Sequence, residues 1–178
     1  MVLNRLHKER VVKKVLGTLL LIPFLLWMGI RMYRNVSFDI DCGGHIKRAA
    51  DANTVELATQ EMKVVIGHLE RSGMTTGYTS ILYRTPNEDV GFWYTNLKSS
   101  LDELEKVKPE ASQLERSNLL LKLRQTLLDH SGNQGEAVTK PSGISLFPNN
   151  VGYALLGLIG LLTAVGSALL FLSSVGDY

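Results

Sequence analysis

"VGYALLGLIGLLTAVGSALLFLSSV", residues 151–175, decides the fold of this chain, because no charged side chain interrupts it. A helix rises about 1.5 Å per residue, so about 20 apolar residues cross the hydrocarbon core of a bilayer, which is about 30 Å thick. A helix in the core of a soluble protein normally keeps one polar face, and this segment has none. The pattern therefore predicts a transmembrane helix over residues 151–175.

A second apolar stretch, "VLGTLLLIPFLLWMGI" at residues 15–30, lies near the N-terminus. It is shorter and contains Pro23, but Lys14 and Arg31 at its ends can extend their charged groups to the lipid head groups. A basic start followed by a short apolar run is also typical of a cleaved signal peptide. The residues after this run are bulky and cationic, without the small residues of a cleavage site. We therefore expect residues 15–33 to form a first transmembrane helix, retained as an uncleaved signal anchor.

The distribution of basic residues predicts which side of the membrane each segment occupies. Lys and Arg near the end of a span tend to stay in the cytoplasm, and the N-terminus is the more basic flank. We expect residues 1–14 and the tail at 176–178 to be cytoplasmic. The chain between the spans then lies outside, as a helical domain at residues 34–132 and a linker at residues 133–150. The basic residues of the N-terminus are Arg5, Lys8, Arg10, Lys13 and Lys14.

The first helix of the outer domain is predicted from "NTVELATQEMKVVIGHLERSG", residues 53–73. Its apolar residues alternate in steps of three and four, which is the pattern of an amphipathic helix packed against a partner. Ser72 and Gly73 should end it, because glycine adopts the left-handed conformation of a helix C-cap without a steric cost. The stripe consists of Val55, Ala58, Met62, Val65 and Leu69.

Two further helices are predicted after this one. Thr85, Pro86 and Glu88 match an N-cap, a first helical position and the third residue of a capping box. Lys108 before Pro109 marks a break, since proline disfavours helix in the residue before it. The third helix should end near Gly132, and with the second it forms either an antiparallel hairpin or one kinked rod. The stripe of the second helix consists of Val90, Trp93 or Tyr94, Leu97, Leu101 and Leu104.

These elements predict the fold class. It is mostly α, with two transmembrane helices flanking an extracytoplasmic bundle of about three helices. The connection "MTTGYTSILYRT", residues 74–85, is more apolar than a solvated loop. We expect it to pack on the helices or to form a short extended piece. Residues 133–150 are polar and rich in turn-forming residues, which is typical of a linker.

Residues with catalytic or metal-binding chemistry are sparse. Cys42 and His45 have the spacing of half a metal site, but the chain has no second cysteine and its other histidines are scattered. We expect a free thiol beside a turn made by Gly43 and Gly44, with no bound metal and no cofactor. The sequence contains no glycine-rich phosphate loop and no recognisable catalytic constellation, so we expect no enzymatic activity.

Contacts with other molecules are predicted at three places. The basic N-terminus suits anionic lipids, whereas the outer domain has no basic stripe that would follow a nucleic acid. In "GFWY", residues 91–94, the rings of Phe92, Trp93 and Tyr94 form either part of the core or a contact for a partner. Small residues in the second span predict close packing against a second copy, the first span or another subunit. They are Gly157, Gly160, Thr163, Ala164, Ser167 and Ala168.

Three functions are compatible with these features. The preferred hypothesis is a non-catalytic accessory or scaffold subunit of a membrane complex, or a self-assembling scaffold, whose helical domain and small-residue face mediate assembly. The first alternative is an extracytoplasmic ligand sensor or regulator that signals through a partner. The second is a small oligomeric channel in which Thr163 and Ser167 face the pore.

Overall fold

A computed structural model describes residues 2–82, 84–130 and 135–175, with side chains from residue 7 onwards, His130 excepted. The protein is mostly helical, and two of its helices are long and apolar enough to cross a membrane. Contacts divide the chain into two compact units. One combines the two ends of the chain, up to Tyr33 and from Val151, and the other is the segment Arg34–Asn150.

The two apolar sequence segments lie in helices α1 (Val2–Phe38) and α6 (Asn150–Val175). Pro23 is accommodated inside α1. Most outward-facing side chains of both helices are apolar over the predicted spans, which is the pattern expected for contact with hydrocarbon. They include Leu16, Leu19, Ile22, Leu25, Leu26 and Met28 on α1, and Leu155, Leu158, Leu161, Leu162, Leu169 and Leu172 on α6.

The chain stays helical after α1, through the π-helical segment Asp39–Gly43 and into α2 (Gly44–Ala50). The predicted turn at Gly43 and Gly44 is therefore wrong, because both residues have right-handed helical backbone angles. The two glycines instead allow the backbone to pass close to Asp39. A Cβ on Gly43 would lie 2.8 Å from Oδ1 of Asp39, and one on Gly44 would lie 3.0 Å from the Asp39 carbonyl oxygen.

Helix α3 (Val55–Arg71) confirms the first predicted helix of the domain. The hydroxyl of Thr54 accepts a hydrogen bond from the N–H of Leu57 and caps the first turn. Ser72 is the C-cap, and Gly73 adopts the predicted left-handed conformation with φ of 68°. All five residues of the predicted stripe are buried: Val55, Ala58, Met62, Val65 and Leu69.

Helix α4 (Val90–Glu105) begins later than predicted. The carboxylate of Glu88 accepts from the hydroxyl and N–H of Thr85, but this pairing closes a short 3₁₀ turn at Pro86–Glu88. The α-helix is capped by Asp89, whose carboxylate accepts from the N–H of Phe92 at 2.9 Å. The predicted stripe is confirmed, and Trp93 is its aromatic member: Val90, Trp93, Leu97, Leu101 and Leu104 are buried.

Helix α5 (Gln113–Leu127) is a separate helix capped by Ser112, so the alternative of one kinked rod is wrong. It ends at Leu127 and not near Gly132, which lies outside the described residues. The chain continues as strand β1 (Leu128–His130), which pairs antiparallel with β2 (Glu136–Val138). The hairpin is fixed by the N–H of Thr139, which donates to the Leu127 carbonyl oxygen at 2.9 Å.

The segment predicted as a linker, residues 133–150, belongs to the domain over most of its described length. It contains β2 and a 3₁₀ turn at Ile144–Leu146. The side chains of Ile144 and Phe147 are buried in the same core as α3 and α4. The turn-forming residues of this segment had suggested a linker, but they form the turns of a packed segment. The domain therefore extends to Asn150.

The connection between α3 and α4 combines both predicted forms. Met74 is buried, so the segment packs on the helices. A single antiparallel bridge joins Tyr78 to Asp89, and the N–H of Thr79 donates to the Glu88 carbonyl oxygen at 3.0 Å. The extended piece is therefore short and holds the loop against the start of α4.

Residues at the two ends of the domain contact each other. The guanidinium of Arg34 donates to the Ser145 carbonyl oxygen at 3.1 Å, and the hydroxyl of Ser145 bonds to the side chain of Asn35. Nearby, Lys140 forms an ion pair with Asp39 at 2.7 Å. These contacts join the residues where the chain enters the domain to those where it leaves.

Replacement of a core leucine by aspartate should unfold the domain. Leu97 is only 2% exposed, so Leu97→Asp would bury an unpaired carboxylate and cost about 4 kcal/mol of unfolding free energy. Thermal unfolding of the detergent-solubilised protein, followed by circular dichroism, measures the effect. Leu114→Asp is the control because Leu114 is 70% exposed, and its melting curve should match that of the wild type. Equal curves for the two variants would contradict this core.

Candidate interaction surfaces

Helices α1 and α6 pack on each other antiparallel within the first unit. The hydroxyl of Ser167 is buried and donates to the Gly17 carbonyl oxygen at 2.7 Å. Further along, the indole N–H of Trp27 donates to the Tyr153 carbonyl oxygen at 3.1 Å. Both donors find backbone acceptors on the facing helix, so neither polar group is left unpaired among apolar side chains.

Glycines allow the two backbones to approach closely. A Cβ on Gly160 would lie 3.0 Å from the Cα of Phe24, so the facing backbone itself occupies the space that a side chain would need. On the other helix, a Cβ on Gly17 would lie 3.1 Å from the ring of Phe171. In a membrane, helices associate through such close packing, because burial of apolar surface offers no gain over contact with lipid.

The structure brings most of the predicted small residues of α6 to this contact. Gly160 and Ser167 are buried, and Gly157, Thr163 and Ala164 are half-buried. Ala168 is exposed and faces away from α1. The buried positions of α6, Gly160, Ser167 and Ser174, recur every seven residues. A seven-residue repeat keeps one face towards a partner helix, whereas residues spaced four apart, such as Gly160, Ala164 and Ala168, drift around the helix.

A groove lies on the outward face of α1. It has a volume of about 470 Å³ and is lined by Ile22, Leu25, Leu26, Gly29, Ile30 and Tyr33. Gly29 has no neighbour among the described residues within 4 Å of where a Cβ would stand, apart from its own helix. The α1 groove is therefore a concave apolar surface with a glycine at its floor and a tyrosine at one end.

The three aromatic residues of "GFWY" have different environments. Trp93 is buried, and its indole N–H donates to the Thr139 carbonyl oxygen at 2.8 Å. The hydroxyl of Tyr94 donates to Glu70 at 2.7 Å, beside a Lys98 ammonium 3.3 Å from the same oxygen. Phe92 is 64% exposed, so it is the ring available for contact with another molecule.

The polar cluster around Tyr94 has shifted acid–base properties. The hydrogen bond from Tyr94 is the main cause that lowers the pKa of the Glu70 carboxyl, and the hydrogen bond from Lys98 is the second. The same bond to Glu70 raises the pKa of Tyr94, and Glu70 likewise raises the pKa of Lys98. All three groups are therefore held in their ordinary neutral-pH forms, a carboxylate, a phenol and an ammonium.

Phe92 also borders a second groove. Its volume is about 490 Å³, and it lies between the start of α4 and the β-hairpin. The groove carries Asp89 and Asp129 together with Lys140, which is paired with Asp39. Its surface therefore combines an aromatic ring with acidic groups.

Cys42 and His45 are not brought together as half of a metal site. Cys42 is buried, and burial raises the pKa of its thiol to about 12, so the thiol stays protonated at neutral pH. Nδ1 of His45 instead lies 2.6 Å from Oε2 of Glu61. Across the described part of the chain, no group of three or more His, Cys, Asp and Glu residues is placed to hold a metal ion.

The Glu61 cluster was missed by sequence reasoning. Glu61 is buried on α3, and its carboxylate pairs with His45 and with Nη2 of Arg48 at 2.5 Å, both from α2. A buried carboxylate requires such partners because it has lost its water. The available signal was the position of Glu61 between the stripe residues Ala58 and Met62, with two basic residues three apart in "HIKR".

Comparison of the chain with protein-family models, with curated proteins and with solved structures finds no match. The geometry of the surfaces themselves therefore carries the functional argument. Two of them are open to other molecules, the α1 groove at Gly29 and the exposed ring of Phe92. The contact between α1 and α6 is already occupied within the chain.

A bulky residue at Gly160 should separate α1 from α6. In Gly160→Leu the new side chain would meet the Phe24 backbone, force the helices apart and cost about 1–3 kcal/mol of unfolding free energy. The melting temperature of the full chain in mild detergent measures the loss. Gly152→Leu is the matched control, because no other part of the described chain lies within 4 Å of a Cβ there. The same melting temperature for both variants would show that this contact contributes nothing.

Proposed function

We propose that the protein is a non-catalytic membrane protein with two spans that serves as an accessory or scaffold subunit of a membrane complex. The α1 groove at Gly29 is the observation that carries this proposal. The occupant is a transmembrane helix of another subunit. Contact with membrane lipids covers the remaining apolar surface of α1 and α6.

The small residues of α6 leave the α1 groove as the surface for assembly. Gly160 and Ser167 are occupied by contacts with α1, so assembly with another subunit requires a different face. Gly29 opens such a face on α1, where a partner backbone can approach without a side chain in the way. Tyr33 at the end of the groove offers a hydroxyl and a flat ring, which suit the boundary between lipid and water.

The outer domain provides a second point of attachment in this proposal. Residues 1–14 are basic and remain in the cytoplasm, so the domain at residues 34–150 lies outside and the tail returns to the cytoplasm. The exposed ring of Phe92 contacts the outer part of the same complex. Aromatic residues are enriched at protein interfaces, where they supply a large contact area at a low entropic cost.

The other two hypotheses receive unequal support. A ligand sensor is the second candidate, because the groove of about 490 Å³ beside Phe92 is of a size that suits a small molecule. A channel is less well supported, since the hydroxyl of Thr163 donates to the Gly160 carbonyl oxygen and that of Ser167 donates to Gly17. Both hydroxyls are thus engaged in hydrogen bonds within the chain.

Filling the α1 groove should release the partner. In Gly29→Leu the new side chain would occupy the floor of the groove, and a loss of about 1.4 kcal/mol of binding free energy corresponds to tenfold weaker association. The measurement is the amount of each membrane protein, or of a differently tagged second copy, that co-purifies in mild detergent. Gly152→Leu adds the same side chain at another open glycine and should retain wild-type amounts. Equal retention by both variants would contradict the proposed groove.

The proposed orientation predicts which cysteines react from outside the cell. The native Cys42 should stay unlabelled, because it is buried and its thiol is protonated at neutral pH. A membrane-impermeant maleimide should label Leu114→Cys on intact cells, since Leu114 is exposed on the domain. Lys8→Cys should react only after the membrane is permeabilised. The opposite pattern would mean that the orientation is inverted.

A further inference from the structure

We propose that Ile81 and Leu82 form a lipid-contacting loop that enters the head-group region of the bilayer beside the start of the second span. This inference rests on the proposed function, since it requires that α6 crosses a membrane. It adds a third attachment of the domain to the membrane, besides the two spans. The occupant of the loop surface is the lipid bilayer itself.

The exposure of the loop is the first observation. Leu82 is 83% exposed, which is the highest value for a large apolar side chain among the described residues, and its neighbour Ile81 is 47% exposed. The preceding residues Met74 and Thr79 are buried, so the loop is anchored at its base and presents its apolar side chains at its tip. Exposed aliphatic residues at the tip of an anchored loop suit insertion into an apolar phase.

The connection of this loop to the second span is the independent observation. Nδ2 of Asn150 donates to the Thr79 carbonyl oxygen at 2.7 Å and lies 3.4 Å from that of Tyr78. Gly77 lies against Phe147, where a Cβ would be 3.1 Å from the ring. Asn150 is covalently bonded to Val151, the first residue of the uninterrupted apolar run. The base of the loop is thus bonded to the residue at which the second span begins.

Distances along the chain limit how far the loop tip lies from Asn150. Leu82 is three residues after Thr79, so it lies within about 11 Å of the residue that Asn150 holds. The interfacial layer on each side of the hydrocarbon core is about 5–8 Å thick. In this proposal a span that begins at Val151 puts Asn150 in that layer, and the base of the loop is bonded to Asn150.

The polar residues of the loop suit the same environment. The guanidinium of Arg84 lies over the ring of Tyr78, 5.7 Å from its centroid, and is exposed. A guanidinium binds phosphate oxygens in two-pronged hydrogen bonds, and tyrosine is enriched where membranes meet water. The loop therefore pairs apolar side chains for the acyl region with a cation for the head groups.

The test measures how deep a fluorophore on the loop sits in the bilayer. The full chain is labelled in detergent at Leu82→Cys with an environment-sensitive fluorophore, and Cys42 remains in place because its thiol is buried and the labelled wild type reports any background. The protein is then reconstituted into phosphatidylcholine–phosphatidylglycerol vesicles that contain lipids with a nitroxide near the head group. We expect nitroxide lipids to quench the fluorophore at least twofold and aqueous iodide to leave it unquenched.

Matched variants make each outcome decisive. Leu114→Cys carries the label on a similarly exposed leucine and should be quenched by iodide but not by nitroxide lipids. Equal quenching by nitroxide lipids at both positions would overturn insertion of this particular loop. Protection of Leu82→Cys from iodide without quenching by nitroxide lipids would mean that protein covers the loop, which also overturns the proposal.

A label within the span separates this inference from the proposed function. Leu162→Cys, on the exposed face of α6, should be quenched by a nitroxide deep in the acyl chains. Quenching at Leu162→Cys without quenching at Leu82→Cys would overturn the loop alone. Absence of quenching at both positions would show that α6 does not cross the bilayer and would overturn the proposed function. Ile81→Cys repeats the loop measurement at the adjacent position.

Discussion

The packing of α3 is the interaction on which the domain at Arg34–Asn150 depends, because this one helix contacts α2, α4 and α5. A helix with three partners must bury much of its circumference. Some of its polar side chains are then also removed from water. Glu61 is the result of that constraint. Its buried carboxylate pairs with His45 and Arg48 of α2, so this polar contact joins α3 to α2, which also pack on each other.

The two units follow opposite rules for the same residue types. In the domain, leucines such as Leu97 and Leu104 are withdrawn from solvent. In α1 and α6, leucines such as Leu25 and Leu162 face outward, and the contact between the two helices includes the buried Gly160 and Ser167. Water favours burial of leucine, whereas hydrocarbon would be indifferent to it and would favour close approach of backbones, so the second pattern is the one expected of helices that cross a membrane.

The sequence was informative where one local pattern determined the outcome. The stripe from Val55 to Leu69 identified α3 and its buried face, because a helix periodicity depends only on the spacing of apolar residues. Gly43 and Gly44 were misinterpreted as a turn, since a glycine pair serves equally a change of direction and a close approach to Asp39. The end of α5 at Leu127 was not predicted, because the strand that follows it is defined by the pairing of Leu128 with Val138. That partner lies ten residues further along the chain, so a local sequence pattern does not indicate it. For the same reason the sequence indicated the small residues of α6 but not the groove at Gly29.

The bonds of Ser145 to Arg34 and Asn35 have an architectural consequence. They hold the entry and the exit of a domain of more than one hundred residues side by side. A domain with adjacent ends can be inserted into a short loop of a host protein without separating the two elements that the loop connects. The domain is in this respect suited to insertion as a unit, and a pair of helices joined by a short loop is the simplest structure into which it fits.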